Sequence, residues 1–335
     1  MSVESSPAVA VAPWLLAQTQ ALLAQRGHAW LLAGPSGLGQ YELALAMVRA
    51  WLCEHATPDG ACGACASCHA IDVRAHADLC VLMPETVMLE LGWPLSEKAQ
   101  DDIDSKKRKP SKEIRVEAMR DAVQFAQRTS SRGRGKAVLV FPAERMNMYT
   151  ANALLKTLEE PAGDVKFALA TDAAHQLLPT IRSRCLGHTM VWPDQPAAMA
   201  WLQALGVPPT QAQVMLRAAG GRPQDALQFA SISDLWPRLP RAVQNGEVGV
   251  FKDWTPAQTL DALHKLCHDL LAQRSGAAPR FFETADLPKV GNWQGLTAWS
   301  KNLAAAMKTV EHPFNPGLMQ EALVSQAQLA LNSKA

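Results

Sequence analysis

No uninterrupted apolar run in the 335 residues reaches the ~18 that a membrane-spanning helix needs, so no membrane partner is expected. The beginning of the chain has no basic stretch ahead of a hydrophobic one. Glu4 is its only early charge, and Pro13 interrupts the short apolar run. A secretory leader is therefore not expected, and the sequence reads as cytoplasmic. Neither sign of charge dominates: 32 Lys+Arg face 31 Asp+Glu, a net of +1. That balance excludes a surface attracting nucleic acid everywhere, while leaving room for local basic patches. Internal repeats are absent. Cysteine is scarce, with seven in all, yet four fall between residues 53 and 68. Such clustering suits a reduced compartment and a metal site better than a disulfide framework.

What is present describes a globular chain, 48% hydrophobic and 19% charged, long enough for two or three domains with sizeable cores. Ala29–Ala33, Leu79–Met83, Ala137–Phe141 and Phe167–Ala170 read as short strands, the last three apolar on both faces as in a buried parallel sheet. Helical stretches alternate with them from about residue 15 to 190, which predicts an α/β fold with helices on both faces of the sheet. After Trp192-Pro193 the strand signals stop. Residues 194–230 read as short helices broken by Gly206, Pro208-Pro209 and Gly220-Gly221. Beyond 234, Leu260, Leu263, Cys267, Leu270 and Leu271 line one helical face. Leu318, Ala322 and Leu329 line another, and both are read as core stripes of a bundle.

The most consequential absence is one lysine. Gly34-Pro-Ser-Gly37-Leu-Gly39-Gln40-Tyr41 has the glycine spacing of a phosphate-binding loop, G-x-x-x-x-G-K-[ST]. Gln40, however, stands where the lysine meets the β- and γ-phosphates, and Tyr41 where a hydroxyl holds Mg²⁺. The setting is otherwise that of a working loop. A buried strand precedes it, and Glu42–Cys53 follows with Leu43, Met47 and Ala50 or Trp51 on one helical face. The plain alternative is a Gly-rich turn unrelated to nucleotides. A second loss lies at the end of the central strand, where Phe141-Pro142-Ala143-Glu144 replaces the acidic pair that supports Mg²⁺ and orients water. With both sides of the metal site damaged, ATP hydrolysis is not expected.

Cys53, Cys62, Cys65 and Cys68 have the spacing C-x8-C-x2-C-x2-C, with Gly60 and Gly63 allowing the chain to fold back. Four thiolates close a tetrahedral zinc site at about 2.3 Å, leaving no position for a catalytic water. Asp72 stands where a ferredoxin-type cluster needs its next cysteine, which argues against iron–sulfur. His55 or His69 in place of one cysteine, and four unrelated buried cysteines, are the alternatives. Residues 91–112 form a polar interruption ending in Lys106-Lys107-Arg108-Lys109-Pro110-Ser-Lys112. It reads either as a solvated loop or as a loop that contacts phosphates.

Ala151-Asn-Ala-Leu154-Leu155-Lys-Thr-Leu158-Glu-Glu-Pro161 has the buried spacing of a helix stopped by proline. As a sequence it closely resembles the clamp-loader ATPases of bacterial DNA polymerase III, as do Thr180-Ile-Arg-Ser-Arg184-Cys185 and a zinc module directly after the loop helix. Within this AAA+ family the degenerate loop looks like the delta-prime branch rather than the tau/gamma motors. Pro13-Trp14-Leu15, His76-Ala-Asp-Leu79, Pro84-Glu85 and Ile114-Arg-Val-Glu-Ala-Met-Arg120 add to the likeness. It is specific across 13–190, looser through Gly221-Arg-Pro-Gln-Asp-Ala-Leu227 and weak in the final hundred residues.

The resemblance implies a RecA-like domain over 1–192 with the zinc module at 53–68, a helical lid over 193–233, and a helical oligomerisation domain over 234–335. It implies a subunit without ATPase or polymerase activity of its own, belonging to the polymerase III holoenzyme and assisting ATP-dependent loading of a sliding clamp onto primed DNA. Tau/gamma and delta subunits are the implied partners. Arg184 matches the arginine that enters a neighbour's ATP site, against the plain alternative of a surface ion pair; Thr171 matches the first sensor position. Gln224 stands where motor subunits carry the second sensor arginine, and Arg222 lies two residues earlier. The 91–112 segment departs from the family's shorter connection. A tau/gamma-like motor and a zinc-dependent nucleic-acid-binding module are the rival readings. Gln40, Tyr41 and Gln224 oppose the first; near-neutral charge and basic stretches without aromatics oppose the second.

Overall fold

The computed structural model describes residues 12–290, 292–310, 312 and 314–333. The first eleven residues, on which the absence of a secretory leader is read, lie outside it. The chain divides into two compact units, Met1–Pro193 and Asp194–Ala335.

The first unit is built on five parallel strands: β1 (Ala29–Ala33), β2 (Leu79–Leu82), β3 (Lys136–Val140), β4 (Val165–Thr171) and β5 (Leu186–Thr189). Their order across the sheet is β2-β3-β4-β1-β5. Parallel neighbours require a crossover, so helices fill the connections. The sheet core is formed by Leu31, Val138, Val140, Phe167 and Leu169, packed against the helices Val116–Gln127 and Met148–Glu159. The order brings the ends of β1, β4 and β3 side by side at one edge, with Ala33 opposite Thr171. In an open α/β sheet that carboxyl edge is where ligands bind.

Two expectations need correcting here. β5 carries no apolar signature, because Gly187 and His188 interrupt it and three of its four residues are exposed at the sheet edge. The 91–112 segment is not a plain solvated loop. Trp93 is buried, Ser96 caps a helix over Glu97–Asp104, and the far end is pinned to Glu85. That carboxylate accepts from Arg108 at 2.5 and 2.8 Å, from the Ser111 amide at 2.8 Å, and pairs with Arg115 at 3.0 Å. Burial opposes the charge on Glu85, but these donors hold its carboxyl below the usual range.

The second unit is helical. Its longest helix, Pro256–Arg274, opens with a reciprocal capping box between Thr255 and Gln258. Leu260, Leu263, Cys267 and Leu270 are buried as their spacing predicts, with Leu271 packed at the margin. Trp293–Met307 and Pro316–Asn332 pack with it. On the last helix the expected stripe is the wrong face: Leu318 and Leu329 are 65% and 71% exposed, whereas Leu323, Val324, Ala327 and Leu331 are buried. Leu318, Ala322 and Leu329 satisfy helical spacing, but so do the residues beside them, and periodicity alone could not choose between the faces. Among the described residues no helix is long and apolar enough to cross a membrane.

Candidate functional site

Gly34–Gly39 links β1 to the helix Gln40–Leu52. Gly39 caps that helix at φ 95°, a left-handed conformation in which a side chain would be strained. The side chain of Gln40 turns back into the loop, its Nε2 donating to the Gly34 carbonyl at 2.8 Å and the Pro35 carbonyl at 2.7 Å. The residue is 3% exposed. A lysine here would bring a positive charge to meet phosphate; the amide instead ties the loop to itself. On its other side the loop is held by Trp14, whose indole donates to the Leu38 carbonyl at 3.2 Å. Met190, just beyond β5, packs so closely that a Cβ on Gly34 would lie 2.8 Å from the methionine Cβ.

Tyr41 is buried, and burial pushes its phenol above the ordinary value. Its ring lies 5.4 Å from that of Phe141, and its hydroxyl accepts from the indole of Trp93 at 2.8 Å. Arg74 lies over the Trp93 ring, 4.4 Å from the centroid. The two positions that would share Mg²⁺ in a working site are thus an aromatic pair. Trp93 is missed by sequence reading, since nothing in a polar segment marks one tryptophan as buried against a residue so far upstream.

Glu144, the carboxylate left beyond the strand end, is also engaged. Thr171 donates its hydroxyl to Glu144 at 2.6 Å, and the Asp172 amide adds a 3.3 Å bond. Thr171, which the resemblance matches to the first sensor position, is therefore engaged with this carboxylate. Arg184 follows the short helix Pro179–Arg182 and is partly exposed. Its guanidinium pairs with Glu159, Nε donating at 2.6 Å, and Nη1 donates to the Thr180 carbonyl at 2.8 Å. In the second unit Gln224 is half-buried in the helix Pro223–Leu227. Arg222 donates to the Ala219 carbonyl at 2.9 Å and pairs with Asp225 at 3.1 Å.

The four cysteines form the second feature. Cys53 ends the loop helix, and Cys65 caps the helix Ala66–Asp72 by accepting from the Cys68 amide at 3.4 Å. All four sulfurs lie within 4.8 Å of one another, and neither His55 nor His69 belongs to the group. Tetrahedral Zn–S bonds of about 2.3 Å imply S···S separations near ~3.8 Å. The Cys53–Cys62 and Cys53–Cys65 sulfurs, at 3.5 and 3.8 Å, fit that geometry. Burial works against the Cys65 thiolate, but neighbouring amide donors bring its thiol down to about 6. Burial pushes Cys68 up to about 12. Bound cations draw such thiols into the thiolate form. The set can hold a metal ion such as zinc. Among the described residues Ala61 is the one partly buried hydrophobic side chain packed against the buried cysteines, so the segment has little apolar core of its own.

The family profile described as DNA polymerase III, delta subunit, matches residues 16–190, more than half of the chain. The chain belongs to the delta-prime family of DNA polymerase III clamp-loader subunits. A delta-prime subunit from Pseudomonas aeruginosa is 38% identical over 205 residues, which cover 61% of this chain and 56% of that protein. The Escherichia coli delta-prime subunit is 31% identical over 283 residues, 79% of this chain and 78% of that protein. The fold is similar to the crystal structure of a DNA polymerase III gamma subunit-related protein from Thermotoga maritima. That similarity has a TM-score of 0.52 and 15% identity, covering 95% of this chain and all of that one.

Proposed function

We propose that this chain is a non-catalytic member of the clamp-loader ring, assisting ATP-dependent loading of a sliding clamp onto primed DNA without binding ATP itself. The observation that carries the reading is the Gln40 side chain bonded inside its own loop beside the Tyr41–Phe141 pair. No cationic side chain stands at the lysine position, and no short hydroxyl or carboxylate at the Mg²⁺ positions. The vestigial loop (Gly34, Gly37, Gly39, Gln40 and Tyr41) then serves as structure.

The rest of the assignment follows from the same reading. Residues 1–192 form the RecA-like domain, 193–233 a lid, and 234–335 the domain that joins the ring with tau/gamma and delta subunits. Cys53, Cys62, Cys65 and Cys68 hold one structural zinc. Arg184 reaches a neighbour's nucleotide, exchanging Glu159 for phosphate oxygens, which a guanidinium grips in the same forked manner. A positive charge delivered there stabilises the charge that develops in phosphoryl transfer. Calorimetric titration of the isolated chain with Mg·ATP tests the central point, together with reconstitution from tau/gamma and delta subunits. The reading expects no heat of binding and a complex whose clamp loading requires this chain. Micromolar ATP binding would overturn it.

A further inference from the structure

We infer that a cavity of about 430 Å³ in the second unit is a docking site for an arginine side chain carried on a segment of a partner protein. It lies between residues 228–236, the 3₁₀ helix Val248–Phe251 with the turn after it, and the start of the helix Pro256–Arg274. Its size suits one extended ligand group rather than a folded element. Three aromatic rings in its walls are fixed from behind. Phe229 meets Trp236 edge to face at 5.0 Å, and Trp236 is stacked on Phe282 at 4.7 Å. The Trp236 indole also donates to the Phe281 carbonyl at 3.0 Å. Trp254 is set edge to face on Phe251 at 5.2 Å, and Gln320 donates to its carbonyl at 2.7 Å. The charged lining is acidic on balance, with Asp253 and Asp261 against Lys252. Asp253 is exposed and pairs with no cation among the described residues.

The protein already holds a cation against these same residues. Lys265 reaches them from within the bundle, its ammonium 4.5 Å from the Phe229 ring centroid and 5.7 Å from that of Trp236. It pairs with one oxygen of Asp261 at 2.7 Å. Burial pulls this ammonium below its ordinary value, and Asp261 opposes the shift. The Asp261 side chain is 57% exposed, so its second oxygen is open to an incoming donor. An arginine repeats that chemistry from outside. Its planar guanidinium stacks on an indole and offers a fork of donors to the carboxylates. A lysine has the charge without the fork. An apolar side chain would take carboxylates out of water without pairing them, and an acidic one would meet like charge. A peptide is the source because the rim also offers amide groups. Gln258 uses its Oε1 in the capping box, accepting from the Thr255 amide at 2.8 Å, which leaves its Nε2 to donate to a peptide carbonyl. Gln228 and Ser231 are exposed on the same rim. None of this depends on the clamp-loader reading.

Nuclear magnetic resonance of the isotope-labelled full chain, titrated with the peptide acetyl-Gly-Gly-Arg-Gly-Gly-amide, tests the inference. The Trp254 indole cross-peak, identified by its loss in Trp254→Phe, is expected to shift saturably. The matching lysine peptide should bind about fivefold more weakly, for want of the fork. Asp253→Asn should weaken the arginine peptide by about tenfold, as one charge-assisted contact is lost. That position is exposed, so thermal unfolding should match wild type. A titration without a saturable Trp254 shift would overturn the inference, as would equal affinity in the Asp253→Asn chain. Tighter binding of the matching leucine peptide would overturn it in favour of an apolar partner segment. Guanidinium ion alone binding as tightly as the arginine peptide would overturn it in favour of a small-cation site.

Discussion

The indole nitrogen of Trp93 donates to the Tyr41 hydroxyl across 52 residues of sequence, at 2.8 Å. The segment after β2 is thereby fastened over the place where a working loop keeps its metal-binding hydroxyl. Tyr41→Phe keeps the ring against Phe141 but strands a buried indole N–H. It should cost about 1–3 kcal/mol in urea unfolding. Trp93→Ala removes the ring as well and should cost about 3–5 kcal/mol.

Gln40→Lys should not restore nucleotide binding. The new ammonium would meet phosphate, but Tyr41, Phe141 and the Glu144–Thr171 bond would still deny Mg²⁺ a site. Isothermal titration with Mg·ATP should show no binding in the micromolar range, and phosphate release should stay at background.

Elemental analysis of reduced protein should find one zinc per chain. Cys62→Ser should abolish or weaken zinc retention and open residues 53–68 to protease, because this segment buries little beyond its own sulfurs. The strands of the sheet should remain protected in hydrogen exchange, since none of them lies within the loop. Iron in place of zinc, or no metal, would refute the assignment.

Arg184→Ala should leave assembly intact and lower the DNA- and clamp-stimulated ATPase of the complex. The one site it serves should lose roughly 10³-fold or more, and total turnover less, because other sites still fire. Arg184→Lys should rescue in part, an ammonium lacking the fork. Glu159→Gln removes the charge that pairs with the guanidinium within the chain and should leave the complex at least as active as wild type. Wild-type turnover by the Arg184→Ala complex would rule out a trans-acting role.

Acid should weaken the first unit through Asp78. Burial alone would raise its carboxyl, but amide donors from Ser131 at 2.7 Å and Arg132 at 2.8 Å, with the Ser130 hydroxyl at 3.0 Å, hold it below the ordinary value. A group depressed by folding contributes fully above its unfolded value, about 3.9. That contribution is lost as pH falls through the folded value. Urea midpoints should therefore drop below about pH 4. Asp78→Asn should be less stable at neutral pH by about 1–3 kcal/mol and should lose less on acidification.

The sheet is legible in the sequence because its strands are short apolar runs whose burial on both faces leaves few alternatives. Four of the five strands stand out in this way, the first with its ends unchanged and the others with ends shifted by at most two residues. β5 does not, because an edge strand need not be apolar. The cysteine cluster is legible from spacing alone, since ligands two residues apart are covalently close before any folding occurs. Partners distant in sequence are not: Trp93 on Tyr41, Glu144 on Thr171 and Glu159 on Arg184 depend on which strands end side by side. The outer face of the last helix misleads because Leu318 and Leu329 satisfy helical periodicity without being buried.

Gly34 belongs to the nucleotide loop by spacing, but what forbids a side chain there is Met190. Packing alone is therefore enough to keep the first glycine of the signature in place. A glycine signature can thus be held in place by packing whether or not a ligand sits on it, as a keyhole keeps its outline with or without a key. Searches that score glycine spacing alone will count such chains among nucleotide binders, for a reason that involves no nucleotide at all.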